Sequence, residues 1–141
     1  DPFRALWLYI IEAEQNPEQA KANLEKRYQR DRSEEWGWVL VAIMLRDVSD
    51  DAALKAIMDG TRENYRLAER LTETYFYLGK RYQLEGDIAD AISLYKLAIS
   101  FNVYEYVEHR YSFLELAQIY DQLQQEQLAK LKAEQEQQEE K

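Results

Sequence analysis

Residues 72–105 constrain this chain more than any other stretch, because they encode a complete pair of helices within about 34 residues. The first half places apolar or small residues at i, i+3, i+4 and i+7, so that they share one stripe of a helix. The second half repeats this spacing and alternates small with large residues, which suits a close antiparallel helix pair. The predicted contact cluster between the two helices consists of Tyr75, Leu78, Gly79, Tyr82, Ala91, Tyr95 and Ala98.

The turn between these helices also has a clear chemical signature. Gly86 suits a left-handed helix C-terminus, and Asp87 suits the N-cap of the following helix. Gly79 lies within the first helix, where glycine costs about 1 kcal/mol relative to alanine. That cost favours a packing role, because a residue without a side chain lets the second helix come close.

The length and spacing of this unit are those of a tetratricopeptide repeat. Such a repeat cannot bury its apolar face alone and must stack on neighbouring units. The sequence therefore predicts an all-α fold, a tetratricopeptide-like array of helical hairpins (an α-solenoid) with a C-terminal capping helix. The alternative is an ordinary helical hairpin of a bundle.

Composition narrows the classes of function. The chain has 141 residues, enough for one domain, and a formal net charge of −9. This charge opposes nucleic-acid binding, which depends on Lys and Arg neutralising phosphates. The sequence contains no cysteine, which excludes disulfides, thiol catalysis and cysteine-based metal sites.

Membrane attachment is expected only through a segment upstream of this chain. The longest apolar run, at residues 38–45, is far shorter than the roughly 20 residues that cross a bilayer. The chain opens with Asp1-Pro2-Phe3, which suggests a fragment or a processed form. A signal peptide or lipidated cysteine would then precede Asp1.

Two proline-containing caps predict the first two helices. Asp1-Pro2 and Asn16-Pro17 each place a capping side chain before a proline at the first helical position, where its missing N–H is not needed. The predicted helices end near Gln15 and near Arg30. Together they resemble a degenerate repeat that lacks the small-residue pattern of residues 72–105.

The third predicted helix should be the most buried one. Ser33 is its expected N-cap, with two glutamates in the first turn. Residues 36–45 are apolar on nearly every side, which is typical of a helix enclosed by others. Trp36 and Trp38 are interpreted as packing residues, and a ligand-binding aromatic pair is the alternative.

The rest of the chain predicts two further helices and a tail. Ser49 should cap a short helix that ends at Gly60, and residues 62–71 should extend the first repeat helix upstream. A helix over residues 103–120 should cover the exposed end of the repeat. These helices define one domain, 1–120. The Gln/Glu-rich segment 121–141 cannot build a core and is expected to be a frayed helical extension or a disordered tail.

No arrangement of residues that carries out catalysis is evident. His109 is the only histidine, between Glu108 and Arg110 on a helix, and no glycine-framed serine or glycine-rich phosphate loop is present. His109 is expected to pack or to hydrogen-bond near tyrosines. The sequence predicts no catalytic residue, no metal site, no cofactor and no nucleotide binding, and hence a protein that is not an enzyme.

A partner-binding groove is predicted beside the packing stripe of the repeat. Residues one step along a helix are rotated by about 100°, and in stacked repeats this direction leads to the concave surface. The predicted partner-binding residues are Glu73, Phe76, Lys80, Gln83 and Leu84. In the alternative, Phe76 packs beneath the helix at 34–45 or the helix at 104–120.

Four segments carry a resemblance to a known family. They are DPFRALWLY at 1–9, EEWGWVL at 34–40, LAERLTETYFYLGKRY at 67–82 and FNVYEYVEHRYSFLEL at 101–116. In this order they resemble the C-terminal half of the NlpI-like family of tetratricopeptide-repeat outer-membrane lipoproteins. The likeness extends from residue 1 to about residue 117, and the tail departs from the family pattern.

The resemblance implies a non-catalytic adaptor. Members of the family are anchored to the outer membrane, face the periplasm and form homodimers. They bring cell-wall endopeptidases to a periplasmic processing protease and to other peptidoglycan enzymes, with roles in cell division. The family's lipidation cysteine and N-terminal repeats lie outside this chain.

Two other functions remain open at this stage. The first is a cytosolic tetratricopeptide adaptor such as a chaperone cofactor, whose groove would need several Lys, Asn and Arg residues to clamp a C-terminal carboxylate. The predicted groove has only Lys80. The second is a structural oligomerisation module, which would be favoured if the chain's own C-terminal helix or tail filled the groove.

Overall fold

The computed structural model describes residues 1–103 and 105–140, and every regular element in those ranges is an α-helix. The helices are α1 (Pro2–Gln15), α2 (Pro17–Asp31), α3 (Gly37–Met44), α4 (Asp50–Gly60), α5 (Asn64–Leu84), α6 (Ile88–Ser100) and α7 (Val107–Glu139). The prediction of an all-α fold is confirmed for these residues. Tyr104 and Lys141, which fell in the predicted final helix and tail, lie outside the described residues.

Helix α5 is the centre of the packing. It contacts four other helices, α3, α4, α6 and α7. Helices α1 and α2 pack against each other, and both contact α3, which connects them to α5. The helices therefore pack in chain order, with α7 lying across α5 and α6.

Local capping chemistry sets most of the helix starts. The side chains of Asp1, Asn16, Ser49 and Asp87 each accept a hydrogen bond from a backbone N–H in the first turn of the following helix. Gly86 has a φ of +87°, the left-handed conformation that its position in the turn requires. These four predicted caps and the predicted turn are confirmed.

The predicted start of α3 is wrong. Ser33 accepts a hydrogen bond from the Glu35 N–H within a local turn, and the helix begins only at Gly37. Packing on α1 explains the shift, because a Cβ added at Gly37 would lie 2.5 Å from Cγ of Pro2. Most of α3 is buried, as its apolar sequence predicts.

The predicted start of the last helix, at residue 103, is also wrong, whereas the tail is the helical extension that the sequence left as one of two alternatives. Helix α7 begins at Val107, after a turn in which Asn102 has a φ of +55°, and it continues to Glu139 rather than ending near Tyr120. Its buried residues are Glu108, His109, Ser112, Leu116 and Ile119. The aromatic and aliphatic residues on its other faces are largely exposed.

A buried arginine joins three helices. Arg81 of α5 is 2% exposed, and its Nη1 donates to the carbonyl oxygen of Ile43 near the end of α3 at 2.7 Å. Its Nη2 donates to Oδ2 of Asp50 at the start of α4, also at 2.7 Å. Tyr82 donates its hydroxyl to the same Asp50 oxygen. The interior thus holds a charged group that is paired and hydrogen-bonded, which is the condition for burying it.

Candidate functional site

The stripe predicted to form a partner-binding groove is covered. Glu73, Phe76 and Lys80 are buried, and Gln83 and Leu84 are half-buried. The expectation that these residues line an open surface is wrong, because the first half of α7 lies across this side of α5. Whether a partner binds there stays a prediction.

Helix α7 covers the stripe mainly through polar contacts. Nζ of Lys80 lies 2.7 Å from Oε1 of Glu115, and both side chains are largely shielded from solvent. Gln83 donates its side-chain amide to the other Glu115 oxygen at 3.2 Å. Leu116 and Ile119, which follow Glu115 on α7, are also buried. The sequence alone did not reveal these contacts, because a Lys–Glu pair 35 residues apart has no periodic signal.

Phe76 is a core residue. It is fully buried, and its ring lies 6.0 Å from that of Trp7, 5.0 Å from that of Tyr77 and 5.9 Å from that of Tyr95. Its ring contacts thus come from α1, from its own helix and from α6. Among the described residues, these aromatic rings come from neither of the two helices considered from the sequence, at 34–45 and at 104–120.

The predicted repeat-packing residues lie where α5 meets α6. A Cβ added at Gly79 would lie 2.9 Å from the Cδ1 and Cε1 atoms of Tyr95, so the two helices touch at that point. Leu78 and Tyr95 are buried, as are Ala91 and Ala98. Tyr75 and Tyr82 are partly buried against the same core.

Two carboxyl groups are buried where α5, α7 and the start of α3 meet. Glu73 is 6% exposed and accepts a hydrogen bond from Nε1 of Trp36 at 3.3 Å. Glu108 is 5% exposed and accepts one from the Tyr77 hydroxyl at 3.2 Å. Burial and the nearby Glu108 carboxyl raise the pKa of Glu73 to about 8. Burial also raises the pKa of Glu108 above its ordinary value.

An aromatic pair joins α1 and α7, and an exposed apolar side chain lies one turn along each helix from it. The rings of Trp7 in α1 and Tyr111 in α7 lie 5.1 Å apart, with Tyr111 38% exposed. Ile11, one turn along α1 from Trp7, is 59% exposed, and Leu114, one turn along α7 from Tyr111, is 50% exposed. We call these four residues the α1–α7 seam. Helical spacing alone did not single them out, because a contact between α1 and α7 joins residues about 100 positions apart.

The described residues show little that suggests catalysis or metal binding. Within residues 1–103 and 105–140, no group of three or more His, Asp or Glu side chains is arranged to hold a metal ion. His109 is buried, with its ring 5.3 Å from that of Phe113. The surface clefts are shallow; the one between α2 and the end of α3 has a volume of about 290 Å³.

The fold and the contacts described above define an all-helical protein whose C-terminal helix covers its central helix. No protein-family model matches the chain. In the part of the chain that the structure describes, no helix is both long enough and apolar enough to cross a membrane.

Proposed function

We propose that this chain is a non-catalytic protein-binding scaffold of the tetratricopeptide type. The support for the repeat architecture is the order of packing, with pairs α1/α2, α3/α4 and α5/α6 following one another along the chain. The close approach of Gly79 and Tyr95 within the last pair is the small-to-large contact that such hairpins need.

The observation that carries the binding function is the α1–α7 seam. Ile11 and Leu114 are each at least half exposed, beside an aromatic pair that is only partly covered. A single exposed apolar residue needs no explanation, but a group of them beside aromatic rings is the composition of a protein interaction surface. The scaffold would thus bind partners along the seam rather than along the buried stripe of α5.

The resemblance to the NlpI-like lipoproteins supplies the proposed partners and location. The proposed partners are cell-wall endopeptidases and a periplasmic processing protease. The proposed location is the periplasmic face of the outer membrane. A lipid anchor upstream of Asp1 would hold the protein there, and a homodimer is part of the proposal. The chain's acidic charge and the absence of a recognisable catalytic motif in its sequence agree with an adaptor role.

Paired variants test this function. Ile11→Asp with Leu114→Asp places charges in the seam, and Met58→Asp places one at a similarly exposed apolar site on α4, where Met58 is 51% exposed. Binding to a purified endopeptidase and to the purified processing protease is measured by calorimetry, with circular dichroism as the folding check. We expect the seam variant to lose at least about tenfold in affinity, roughly 1.4 kcal/mol, and the Met58 variant to bind normally.

The outcomes separate the parts of the proposal. Equal binding by both variants and the wild type would place the docking surface elsewhere. Failure of the wild type to bind either protein would remove the partners that the resemblance suggests. A second panel with chaperone C-terminal peptides addresses the cytosolic adaptor, although Lys80, the one cation in that stripe, is already paired with Glu115.

A structural oligomerisation module is the second candidate. It is favoured by the covering of the α5 stripe by α7, and by the exposure of Leu123, Leu128 and Leu131 along the rest of α7. Light scattering of the full chain and of a chain ending at Tyr120 distinguishes it. A dimer that becomes a monomer on truncation, in a chain that binds neither the endopeptidase nor the protease, would support this function over the scaffold.

A further inference from the structure

The contact between α5 and α7 encloses two acidic groups that accept hydrogen bonds from neutral donors. Trp36 donates to Glu73, and Tyr77 donates to Glu108. Among residues 1–103 and 105–140, neither carboxylate forms an ion pair within 4.0 Å. A buried carboxylate without a cationic partner is costly, and a second one nearby increases the cost.

The charged groups around the pair do not remove this cost. On α5, Glu69 adds negative charge, and Arg70 is the one cation that favours ionisation of Glu73. The Arg70 guanidinium lies 4.8 Å above the Trp36 ring and donates to the Thr61 hydroxyl. From the start of α7, the Tyr106 hydroxyl bonds Glu69, and His109 packs against Phe113.

We propose that Glu73 and Glu108 form a proton-dependent latch that holds the first half of α7 on α5. With a proton on at least one carboxyl, the pair is tolerated in the interior and α7 stays docked. When both ionise, two like charges are buried near each other and α7 lifts away. Release frees Lys80 and Gln83 from Glu115, and these two residues belong to the stripe that the sequence predicts as a partner groove.

The direction of the pH effect follows from the proton balance. Docked Glu73 has a pKa of about 8, whereas a solvated glutamate titrates near 4.5. Between these values the docked state holds a proton that the released state gives up. The ratio of released to docked molecules should therefore rise by up to about tenfold per pH unit over this range and level off above it. The latch is tightest in acid.

A single thiol reports the release. The chain has no cysteine, and Ser112 is fully buried on the inner face of α7. In Ser112→Cys, the rate of labelling by a dithiodipyridine is measured across this pH range and divided by the rate for the urea-unfolded chain at the same pH. Ala20→Cys, fully buried between α1 and α2, is the reference. We expect the labelling ratio of Ser112→Cys to rise by at least about tenfold from pH 5 to pH 8, well above the ratio of Ala20→Cys.

Isosteric neutral variants decide whether the carboxyl pair is the cause. In the Ser112→Cys background, Glu73→Gln should abolish most of the rise. Glu108→Gln should make the rise smaller, because burial alone still raises the pKa of Glu73. Glu12→Gln, at a half-buried glutamate paired with Arg27, should leave the rise intact. A rise that persists in Glu73→Gln, or that disappears in Glu12→Gln, would overturn the latch. This readout needs no partner protein, so its result is independent of the binding experiments on the seam.

Discussion

At Phe76, aromatic rings from three helices converge on one fully buried side chain. Replacing Phe76 by alanine removes these contacts and leaves a cavity, so we expect a loss of about 3–5 kcal/mol in the free energy of unfolding. Phe113→Ala is the matched control, since Phe113 is 52% exposed on α7. Urea denaturation measures both, and equal losses would show that Phe76 is not the core residue described above.

Gly79 offers a second test at a single position. A leucine there would place its Cβ against the Tyr95 ring, and overpacking of this kind costs about 1–3 kcal/mol. Gly60→Leu is the control, because no atom lies within 4 Å of a Cβ added at that glycine. An unchanged thermal midpoint for Gly79→Leu would contradict the close packing of α5 on α6.

The packing of Gly79 could be predicted from the sequence, whereas the packing of Phe76 could not. Gly79 and its partner Tyr95 lie in one hairpin, so their relation follows from local helical spacing. Phe76 depends on Trp7, almost seventy residues earlier, and spacing within α5 carries no information about a ring on α1. Glu73 and Lys80 were predicted to be exposed and are buried. The prediction failed because isolated polar residues normally indicate a solvated face.

At the scale of elements, α7 has two parts with different roles. From Asp121 to Glu140 every residue is exposed, whereas Leu116 and Ile119 are buried against the body. A chain ending at Tyr120 should therefore keep its melting temperature within a few degrees, because little apolar burial is lost. Its far-UV ellipticity should fall in proportion to the helix removed.

A shorter chain provides the control for this truncation. Ending at Leu114 removes the Glu115 pair with Lys80 as well as Leu116 and Ile119, so we expect a clear loss of stability. If the chain ending at Tyr120 is destabilised just as much, the exposed extension contributes to folding and the predicted boundary near residue 120 is wrong.

Element boundaries were predictable where local chemistry decides them. The caps Asp1, Asn16, Ser49 and Asp87 act within one turn, so their positions follow from the sequence. The start of α3 was not predictable, since the close contact between Gly37 and Pro2 overrides the capping signal of Ser33. The length of α7 also differs, because residues such as Gln, Glu, Lys and Ala favour helix without any core to bury.

At the scale of the whole molecule, stability should be greatest in mild acid. The pKa of Glu73 is raised to about 8, so the folded chain holds this proton more tightly than the unfolded chain and stability falls as the pH rises from about 4.5 to about 8. Burial opposes ionisation of Asp50, but hydrogen bonds from Arg81 and Tyr82 outweigh it and lower its pKa, so its contribution is lost in stronger acid.

Urea midpoints measured from about pH 3 to pH 8 should show the maximum near pH 4, above the range in which Asp50 gains its proton and below the range in which Glu73 loses stabilisation. In Glu73→Gln the decline on the alkaline side should become shallow. A maximum above neutrality in the wild type would contradict the buried carboxyl pair as a determinant of overall stability.

The extension of α7 beyond Tyr120 amplifies any rotation of the docked half of the helix. From Asp121 to Glu139 it has a length of about 28 Å at 1.5 Å per residue. Because the helix is continuous with the docked half, a rotation of about ten degrees at the docked end moves the free tip by about 5 Å. A dye at the tip and another on α2 would turn a small change near Glu108 into a distance change large enough for energy transfer to record.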